Sequence, residues 1–215
     1  MSPAAAKPAK KRLSRDRIIE AGLVLAEEMG ADKVSSRSIA SRLDVSSMAI
    51  YRHFDDMEDL QSEMLDRFTE RADVLPEGDL PWDQWLMQVS GRMLSAMSDT
   101  PGWIALLGRI RLKPGALKVM DHGLAVLTKA GFSKRQAVEI FFVMNQAVIG
   151  AASLQNSLRG ENRDQSIPID HFDRSDFPDV YECLPELLSV LRSDMLATNM
   201  RWLVKALKLE LNGDP

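Results

Sequence analysis

Residues 34–54, VSSRSIASRLDVSSMAIYRHF, decide the fold that this sequence predicts. Serine pairs that can cap a helix N-terminus occur twice in the stretch, at 35–36 and at 46–47. Asp44 stands where the chain must turn between them, and aspartate tolerates the left-handed conformation of such turns. We expect a short helix up to Leu43, a turn, and a second helix from about 47 to 53. This arrangement is a helix-turn-helix, whose second helix can enter the major groove of DNA.

Helices are also predicted on both sides of this stretch. Ser14 is the expected N-cap of a first helix, whose apolar residues recur at helical spacing up to a stop at Gly30. Asp55 and Asp56 precede a fourth helix, expected over 56–70, and carboxylates near its start suit the positive end of the helix dipole. The DNA-reading pair is therefore expected to lie within a small helical head.

The second half of the chain predicts helices only. Apolar periodicity and Gly/Pro punctuation place them at 82–98, 102–111, 114–129, 133–158 and 185–211. Residues 160–178 are polar and contain proline, which predicts a long loop that is either functional or disordered. The predicted fold class is all-α. The expected organisation is a mobile basic arm (1–13), a helix-turn-helix domain with its connecting helix (14–75) and a helical body (76–215).

Composition excludes several classes of protein. The chain has 215 residues, 45% of them hydrophobic, and a single cysteine, so a disulfide scaffold is excluded. We find no apolar run of the roughly 20 residues that span a bilayer and no apolar signal segment, and we expect a cytoplasmic protein. The net charge is −4, yet residues 1–54 hold ten Lys/Arg against six Asp/Glu. Any polyanion-binding surface is therefore expected in the head.

The side chains outside the predicted packing face of the helix-turn-helix suit a DNA duplex. Arg37 can bond bidentately to guanine, and Met48 and Ala49 can touch thymine methyl groups. Tyr51 and His53 suit phosphate oxygens, which set the register of the complex. Each of these side chains taken alone is equally compatible with an ordinary solvated surface. The full set of expected DNA contacts is Ser36, Arg37, Ser47, Met48, Ala49, Tyr51 and His53.

The stretch 12–68 resembles the N-terminal domain of TetR-family transcriptional repressors. The family pattern has Gly after helix one, Ser/Thr-x-Arg opening helix two and Tyr-x-His-Phe closing helix three, and Gly30, Ser35 to Arg37 and Tyr51 to Phe54 match it. Residues 127–152, LTKAGFSKRQAVEIFFVMNQAVIGAA, more faintly resemble the tetracycline-repressor subgroup. Two departures from the family pattern matter. Asp44 replaces a usual Gly, which concerns the stability of the turn, and Met57 stands where a phosphate-binding Lys is common, which concerns DNA binding.

The resemblance implies an all-helical homodimer that binds a palindromic operator on double-stranded DNA. A small-molecule effector would occupy the body, reorient helix four and release the repressor, although some relatives activate or answer to no ligand. Apolar bulk and amide donors mark the candidate effector-binding residues, and each of the aromatic ones is also compatible with plain core. These candidates are Trp82, Trp85, Trp103, Phe141, Phe142, Asn145 and Gln146.

The expected last helix carries two apolar rows, one for the subunit's own core and one for a partner. The first row is Leu184, Leu187, Leu188, Leu191, Met195, Thr198, Trp202, Ala206 and Leu209, and the second is Met200, Leu203, Val204, Leu207 and Leu211. Burial of both rows inside one bundle is the open alternative. Residues of helix 133–158 are expected to share the dimer interface, namely Val138, Phe141, Met144, Val148 and Ala152.

No metal, cofactor or catalytic site is expected. Tetracycline repressors hold the drug with a magnesium ion bound by histidine, and this chain has no histidine between His53 and His122. The cluster of Asp170, His171, Asp173 and Asp176 is better explained by a solvated loop. Catalytic motifs such as HExxH and GxSxG are missing, and Cys183 is expected to be a buried apolar side chain.

A helical adaptor whose helix-turn-helix contacts protein is the alternative to a DNA-binding regulator. The adaptor predicts that partner binding and regulation survive Arg37→Ala and Tyr51→Ala, whereas the repressor predicts that both changes release the promoter.

Overall fold

The computed structural model describes residues 12–100, 102–107, 111–158, 172–191 and 193–212, and every regular element in these ranges is helical. The helices are α1 (Arg15–Met29), α2 (Ser36–Leu43), α3 (Ser47–Ile50), α4 (Met57–Ala72), α5 (Trp82–Asp99), α6 (Trp103–Leu106), α7 (Pro114–Lys129), α8 (Lys134–Leu158), α9 (Pro178–Glu182), α10 (Leu184–Leu191) and α11 (Met195–Leu211), with a 3₁₀ turn at Ala31–Lys33. The all-α prediction is confirmed. The expected basic arm lies almost wholly outside the described residues.

The helix starts of the head follow the predicted caps. The Ser14 hydroxyl accepts a hydrogen bond from the Arg17 N–H at 3.3 Å. Ser35 caps α2, and its hydroxyl accepts from the Ser38 N–H at 3.1 Å. Asp56 caps α4 through a 2.7 Å bond from the Asp59 N–H. These three caps are confirmed, since each binds a backbone N–H three residues along the chain. The predicted cap of α3 is confirmed only in position: Ser46 is the N-cap residue, but its side chain makes no capping hydrogen bond.

Asp44 adopts the left-handed conformation that the turn requires, with φ of 52° and ψ of 52°. Aspartate therefore serves at a position where relatives usually carry glycine, consistent with its tolerance of this region of backbone space.

Three predicted helix bounds were wrong. Helix α3 ends at Ile50 rather than 53, and α6 covers Trp103–Leu106. Of the expected helix 102–111, residues 108–110 lie outside the described residues and residue 111 is not helical. The expected helix 185–211 is two helices, α10 and α11. The break has a local cause: the Asp194 carboxylate accepts from the Ala197 N–H at 2.9 Å and so caps a new helix. Of the expected loop 160–178, residues 160–171 lie outside the described residues, and α9 begins at Pro178.

Two apolar cores hold the chain together, one in the head and one in the body. The head core joins α1, α2 and α4 through buried side chains such as Ile18, Ile39 and Leu60. The body core joins α5, α7, α8 and α11 through side chains such as Trp85 and Met144. Gly123 permits a close approach of helices in the body, since a Cβ there would lie 2.7 Å from Trp85 and 2.9 Å from Phe141.

The head core also contains two residues from the second half of the chain. Trp103 and Leu106 of α6 are buried in it, and Trp103 is 0% exposed. Gly102 makes this docking possible: its φ is 94°, and a Cβ there would lie 2.7 Å from the backbone nitrogens of Ala31 and Asp32. Head and body are therefore joined by an inserted side chain as well as by α4.

Helix α8 is the longest of the described helices and is largely apolar. Residues 134–155 have a mean hydropathy of 1.6, and by length and composition alone this segment could span a membrane. Sequence patterning alone did not identify this segment. Its buried side chains Ile140, Phe141, Met144 and Val148 pack into the body core. In this window 33% of the residues are buried.

Candidate functional site

The inner side of the helix-turn-helix packs in the head core, and its outer side is accessible to solvent. Ile39 of α2 and Ile50 of α3 are both 0% exposed, and Phe54 is 2% exposed. The Arg15 guanidinium lies 4.3 Å from the centre of the Phe54 ring and donates a hydrogen bond to the His53 carbonyl. These contacts fix the end of α3 against the start of α1, so the outer face has a defined orientation.

All seven expected DNA-contact residues lie outside the core. Arg37 and Met48 are exposed, with Met48 at 73%, and Tyr51 is 41% exposed. Ser36, Ser47, Ala49 and His53 are half-buried. The Tyr51 hydroxyl donates to the Ser36 hydroxyl at 3.1 Å, which brings the start of α2 and the end of α3 together.

The start of α4 carries Met57 at the position where a phosphate-binding lysine is common. Met57 is half-buried and packs against the head core, so it offers no donor to a phosphate. The carboxylates around it are instead matched by cations from elsewhere in the chain. Arg111 bonds Asp56 at 3.2 Å, and Arg15 contacts Glu63 at 3.1 Å.

Lys113 is the centre of this charged cluster. Its ammonium lies 3.1 Å from Asp59 and 3.0 Å from Glu63. The hydrogen bond with Glu63 raises the pKa of Lys113, and the bond with Asp59 adds to this against the opposing effect of burial. Burial works to raise the pKa of Asp59, but the bond and charge of Lys113, the Asp55 N–H and the charge of Arg15 together lower it. Both groups are therefore held in their charged forms.

The segment 111–115 is fastened along one side of α4. The Arg111 N–H donates to the Ser62 hydroxyl at 3.0 Å, and the Gly115 N–H donates to Asp66 Oδ1 at 2.6 Å. A Cβ at Gly115 would lie 2.7 Å from that same oxygen, so glycine is needed for the contact. Sequence reasoning missed this junction because its partners lie about 50 positions apart and carry no shared motif.

A cavity of about 310 Å³ lies where α4, α5, α7 and α8 meet. Its wall is mostly apolar and contains Leu65, Phe68, Thr69, Ala72, Val74, Met93, Ala96, Met97, Leu107, Leu112, Ala116, Val119, Met120, Phe141, Phe142 and Ile149, with polar groups from Ser62, Asp66, Arg111, Lys113, Asn145 and Gln146. Such a chamber, apolar with a few polar atoms, is typical of a small-molecule site.

Four of the seven expected effector-binding residues line this cavity: Phe141, Phe142, Asn145 and Gln146. The structure does not bring Trp82, Trp85 or Trp103 to it. Trp82 packs edge-on against Phe132 at 5.2 Å, and Trp85 stacks on His122 at 5.9 Å within the body core. Trp103 contacts Phe68 at 5.1 Å in the head core. These three tryptophans therefore pack in the apolar cores, which was the alternative to a role in effector binding.

The two apolar rows of the last helix separate only in part along α11, because Leu211 of the second row is 36% exposed. Met200 and Leu207 of the second row are buried in the subunit's own core. Trp202 of the first row is 74% exposed and Leu209 is 49% exposed. The first row does not continue in register into α10, because the chain breaks before α11.

The part of α8 expected at a dimer interface needs correction. Phe141, Met144, Val148 and Ala152 are buried in the subunit's own core, because they face α5 and α7. Val138 of the expected set is exposed, and among the described side chains of α8 the other large apolar ones that are exposed are Phe142, Val143 and Leu154.

The expected histidine and carboxylate cluster is only partly described. Asp170 and His171 lie outside the described residues, and Asp173 and Asp176 are exposed. Bonds from the Ser175 N–H and hydroxyl lower the pKa of Asp173. Within the described ranges no group of three His, Cys, Asp or Glu side chains is placed to hold a metal ion. Cys183 is exposed, so the expectation that it is buried was wrong.

Comparison with known proteins agrees with this architecture. Residues 18–64 match the family described as "Bacterial regulatory proteins, tetR family". The HTH-type transcriptional repressor DrrR1 of Streptomyces coeruleorubidus is 27% identical over 149 residues, which are 68% of this chain and 55% of that protein. The chain thus spans little more than half the length of this relative. Tetracycline repressor protein class G of Vibrio anguillarum is 25% identical over 178 residues, 81% of this chain and 79% of that one.

Among solved structures, the Streptomyces coelicolor TetR family protein ActR in complex with actinorhodin superposes with a TM-score of 0.79. The match covers 93% of this chain and 97% of ActR at 16% identity, and it concerns the fold. The matched segment 18–64 contains the whole helix-turn-helix described above. Residues 18–64 are thus similar to the tetR family of bacterial regulatory proteins, and over most of the chain the fold is like that of ActR.

Proposed function

We propose that the chain is a homodimeric, sequence-specific DNA-binding regulator, a repressor that leaves a palindromic operator when a small molecule occupies the cavity. The observation that carries the proposal is the outer face of α2 and α3, where Arg37, Met48 and Tyr51 are exposed above a fixed core. Its relatives are described as transcriptional regulators, and we propose a non-enzymatic, cytoplasmic role for this chain as well.

The α2–α3 face supports DNA reading by its side-chain types. The proposed contacts are Ser36, Arg37, Ser47, Met48, Ala49, Tyr51 and His53. Arg37 would read a guanine edge, while Met48 and Ala49 would contact thymine methyl groups. The Tyr51 hydroxyl, held at Ser36, would meet a phosphate and set the register.

The proposed domains are the head at 14–75 and the effector-binding and dimerisation body at 76–215, preceded by the arm at 1–13. Within this division we assign α6 to the head core, since Trp103 and Leu106 are buried there.

Dimerisation through α8 and α11 is supported by their exposed apolar side chains. Trp202 and Leu209 of α11 and Val143 and Leu154 of α8 remain exposed in one subunit. A two-fold axis through this face would set the two recognition helices about 34–36 Å apart, as successive major grooves require.

The substitution Trp202→Glu is expected to dissociate the dimer. A central interface tryptophan contributes about 2 kcal/mol and occurs twice in a two-fold interface, so the dimer dissociation constant should rise about 1,000-fold. Because Trp202 is 74% exposed in one subunit, the helical content of the monomer should not change. Analytical ultracentrifugation measures the first effect and circular dichroism the second. Trp202→Phe is the matched control, and a Glu variant that stays dimeric at the same concentration would place the interface elsewhere.

Coupling between the cavity and the head is supported by two routes. Phe68 lines the cavity and also contacts Trp103 at 5.1 Å in the head core. Arg111 and Lys113 line the cavity and are bonded to carboxylates of α4. A molecule that displaced either contact would reorient α4, and a 100-fold loss of operator affinity needs about 2.7 kcal/mol of such coupling.

In vitro selection of bound DNA from a random library tests the proposed function. We expect an inverted repeat whose half-sites lie about one helical turn apart, with affinity at moderate salt at least about 1,000-fold above that for unselected DNA. Equal affinity for selected and unselected DNA would refute sequence-specific regulation and favour a protein-binding adaptor.

A further inference from the structure

The cavity wall carries three charged side chains, Asp66, Arg111 and Lys113, and their surroundings differ. Arg111 is 3.2 Å from Asp56, and Lys113 is within 3.1 Å of Asp59 and Glu63. With Arg15 also contacting Glu63, three cations pair with three carboxylates, Asp59 and Glu63 of α4 and its N-cap residue Asp56. The positive charges at the wall are thus already neutralised by the protein.

Asp66 is the exception. Its Oδ1 accepts the Gly115 N–H at 2.6 Å, and no cationic side chain of the described residues lies within 4.0 Å of its carboxylate. The wall therefore carries one carboxylate whose charge is met only by the backbone at the start of α7. The second oxygen, Oδ2, has no hydrogen-bond donor from the described part of the chain.

Two further polar side chains of the wall, Asn145 and Thr69, offer acceptors. The Asn145 amide donates to the Phe141 carbonyl at 2.8 Å, which leaves its oxygen for a ligand. The Thr69 hydroxyl donates to the Leu65 carbonyl at 2.9 Å, so its lone pairs also remain.

The apolar part of the wall also favours positive charge. Phe68, Phe141 and Phe142 present aromatic rings, whose faces attract cations, and Met93, Met97 and Met120 present polarisable sulfur atoms. These side chains lie on α4, α5, α7 and α8, so the preference does not depend on one helix.

We propose that the cavity selects hydrophobic cations, that is, an aromatic or polycyclic body bearing a protonated amine that pairs with Asp66. This inference deepens the proposed function, since it names the chemical class of the effector. The body of the ligand would replace water against the methionines and phenylalanines, and the ammonium would donate to Asp66 and to the Asn145 oxygen.

Three fluorescent probes with one apolar body separate charge from hydrophobicity: 1-pyrenemethylamine, a cation; 1-pyrenemethanol, which is neutral; and 1-pyrenecarboxylate, an anion. Fluorescence anisotropy of each probe with the full-length protein gives its dissociation constant. We expect the cation to bind at least about tenfold more tightly than the alcohol, and the anion to bind least.

Asp66→Asn removes the charge and keeps an oxygen that can accept the Gly115 N–H, so the junction between α4 and α7 is retained. In this variant the cation and the alcohol should bind equally, with the affinity of the alcohol unchanged. Asp121→Asn is the matched control, because Asp121 is an exposed carboxylate of α7 outside the cavity wall. It should leave the tenfold ratio intact.

Equal binding of the three probes, preference for the anion, or a cation preference that survives Asp66→Asn would each overturn the inference. The selected DNA is titrated separately, without probe. If the protein binds that DNA but shows no charge preference, the ligand class is wrong and the proposed function stands. If the charge preference depends on Asp66 but no DNA is bound specifically, the cavity chemistry stands and the proposed function fails.

Discussion

Replacing Arg37 with alanine is expected to remove specific operator binding while leaving the protein folded and dimeric. Arg37 is exposed in the first turn of α2, one residue after Ser36, which is bonded to Tyr51 of the recognition segment. A bidentate arginine–guanine contact contributes about 1–3 kcal/mol, and two copies in a dimer double the loss to about 2–6 kcal/mol. The selected operator should therefore bind about 30-fold to more than 1,000-fold more weakly.

Arg42→Ala is the matched control for this prediction. Arg42 lies on the same helix, but its guanidinium is paired with Glu28 of α1. This variant should retain operator affinity within a few fold, since removing one exposed ion pair changes little. Electrophoretic mobility shift at several salt concentrations distinguishes the roles. Loss of affinity at all sequences alike after Arg37→Ala would make Arg37 a phosphate contact, and unchanged affinity would remove it from the interface.

The head could be predicted closely because its signals are local. Ser35 and Asp56 each cap a helix by binding the N–H three residues further on, and the side chain types alone reveal this. Asp44 likewise marks the turn by its own backbone preference. Where competing local signals were overlooked, as at the Asp194 cap that divides α10 from α11, the prediction was wrong.

The cavity could be predicted only in part, because its wall comes from four helices. Phe142, Asn145 and Gln146 share one side of α8, and their mixture of aromatic and amide groups marked them in the sequence. Lys113 and Asp66 gave no comparable signal, since each is an ordinary charge until folding brings α4 against segment 111–115. The tryptophans were misplaced because size and apolarity predict burial and do not say in which core a side chain is buried.

Trp103 is the clearest example, since it belongs to the second half of the chain but packs in the head core. It is 0% exposed, contacts Phe68 and belongs to the same cluster as Ile39 and Leu60. The head of residues 14–75 is therefore incomplete without a side chain from α6. A displacement of α6 caused by a molecule in the cavity would therefore move side chains of the core on which α3 packs.

Trp103→Ala is accordingly expected to destabilise the head by about 3–5 kcal/mol, the usual loss for a large aromatic side chain removed from a core. Native-state hydrogen exchange can locate the loss: amides of α1, α2 and α4 should lose protection, while those of α7 and α8 keep it. Operator affinity should fall with the folded fraction of the head, although Trp103 is buried and cannot touch DNA.

Trp103→Phe separates the filling of the core from the chemistry of the indole. The Trp103 Nε1–H is buried and finds no hydrogen-bond partner among the described residues, so replacing indole by a phenyl ring removes an unsatisfied donor. The Phe variant should therefore lose much less stability than the Ala variant and retain operator binding. If Trp103→Ala instead removed protection from α7 and α8, or left α1 and α4 unchanged, α6 would belong energetically to the body. The path from cavity to DNA would then run through α4 and its bonds to Arg111 and Lys113 alone.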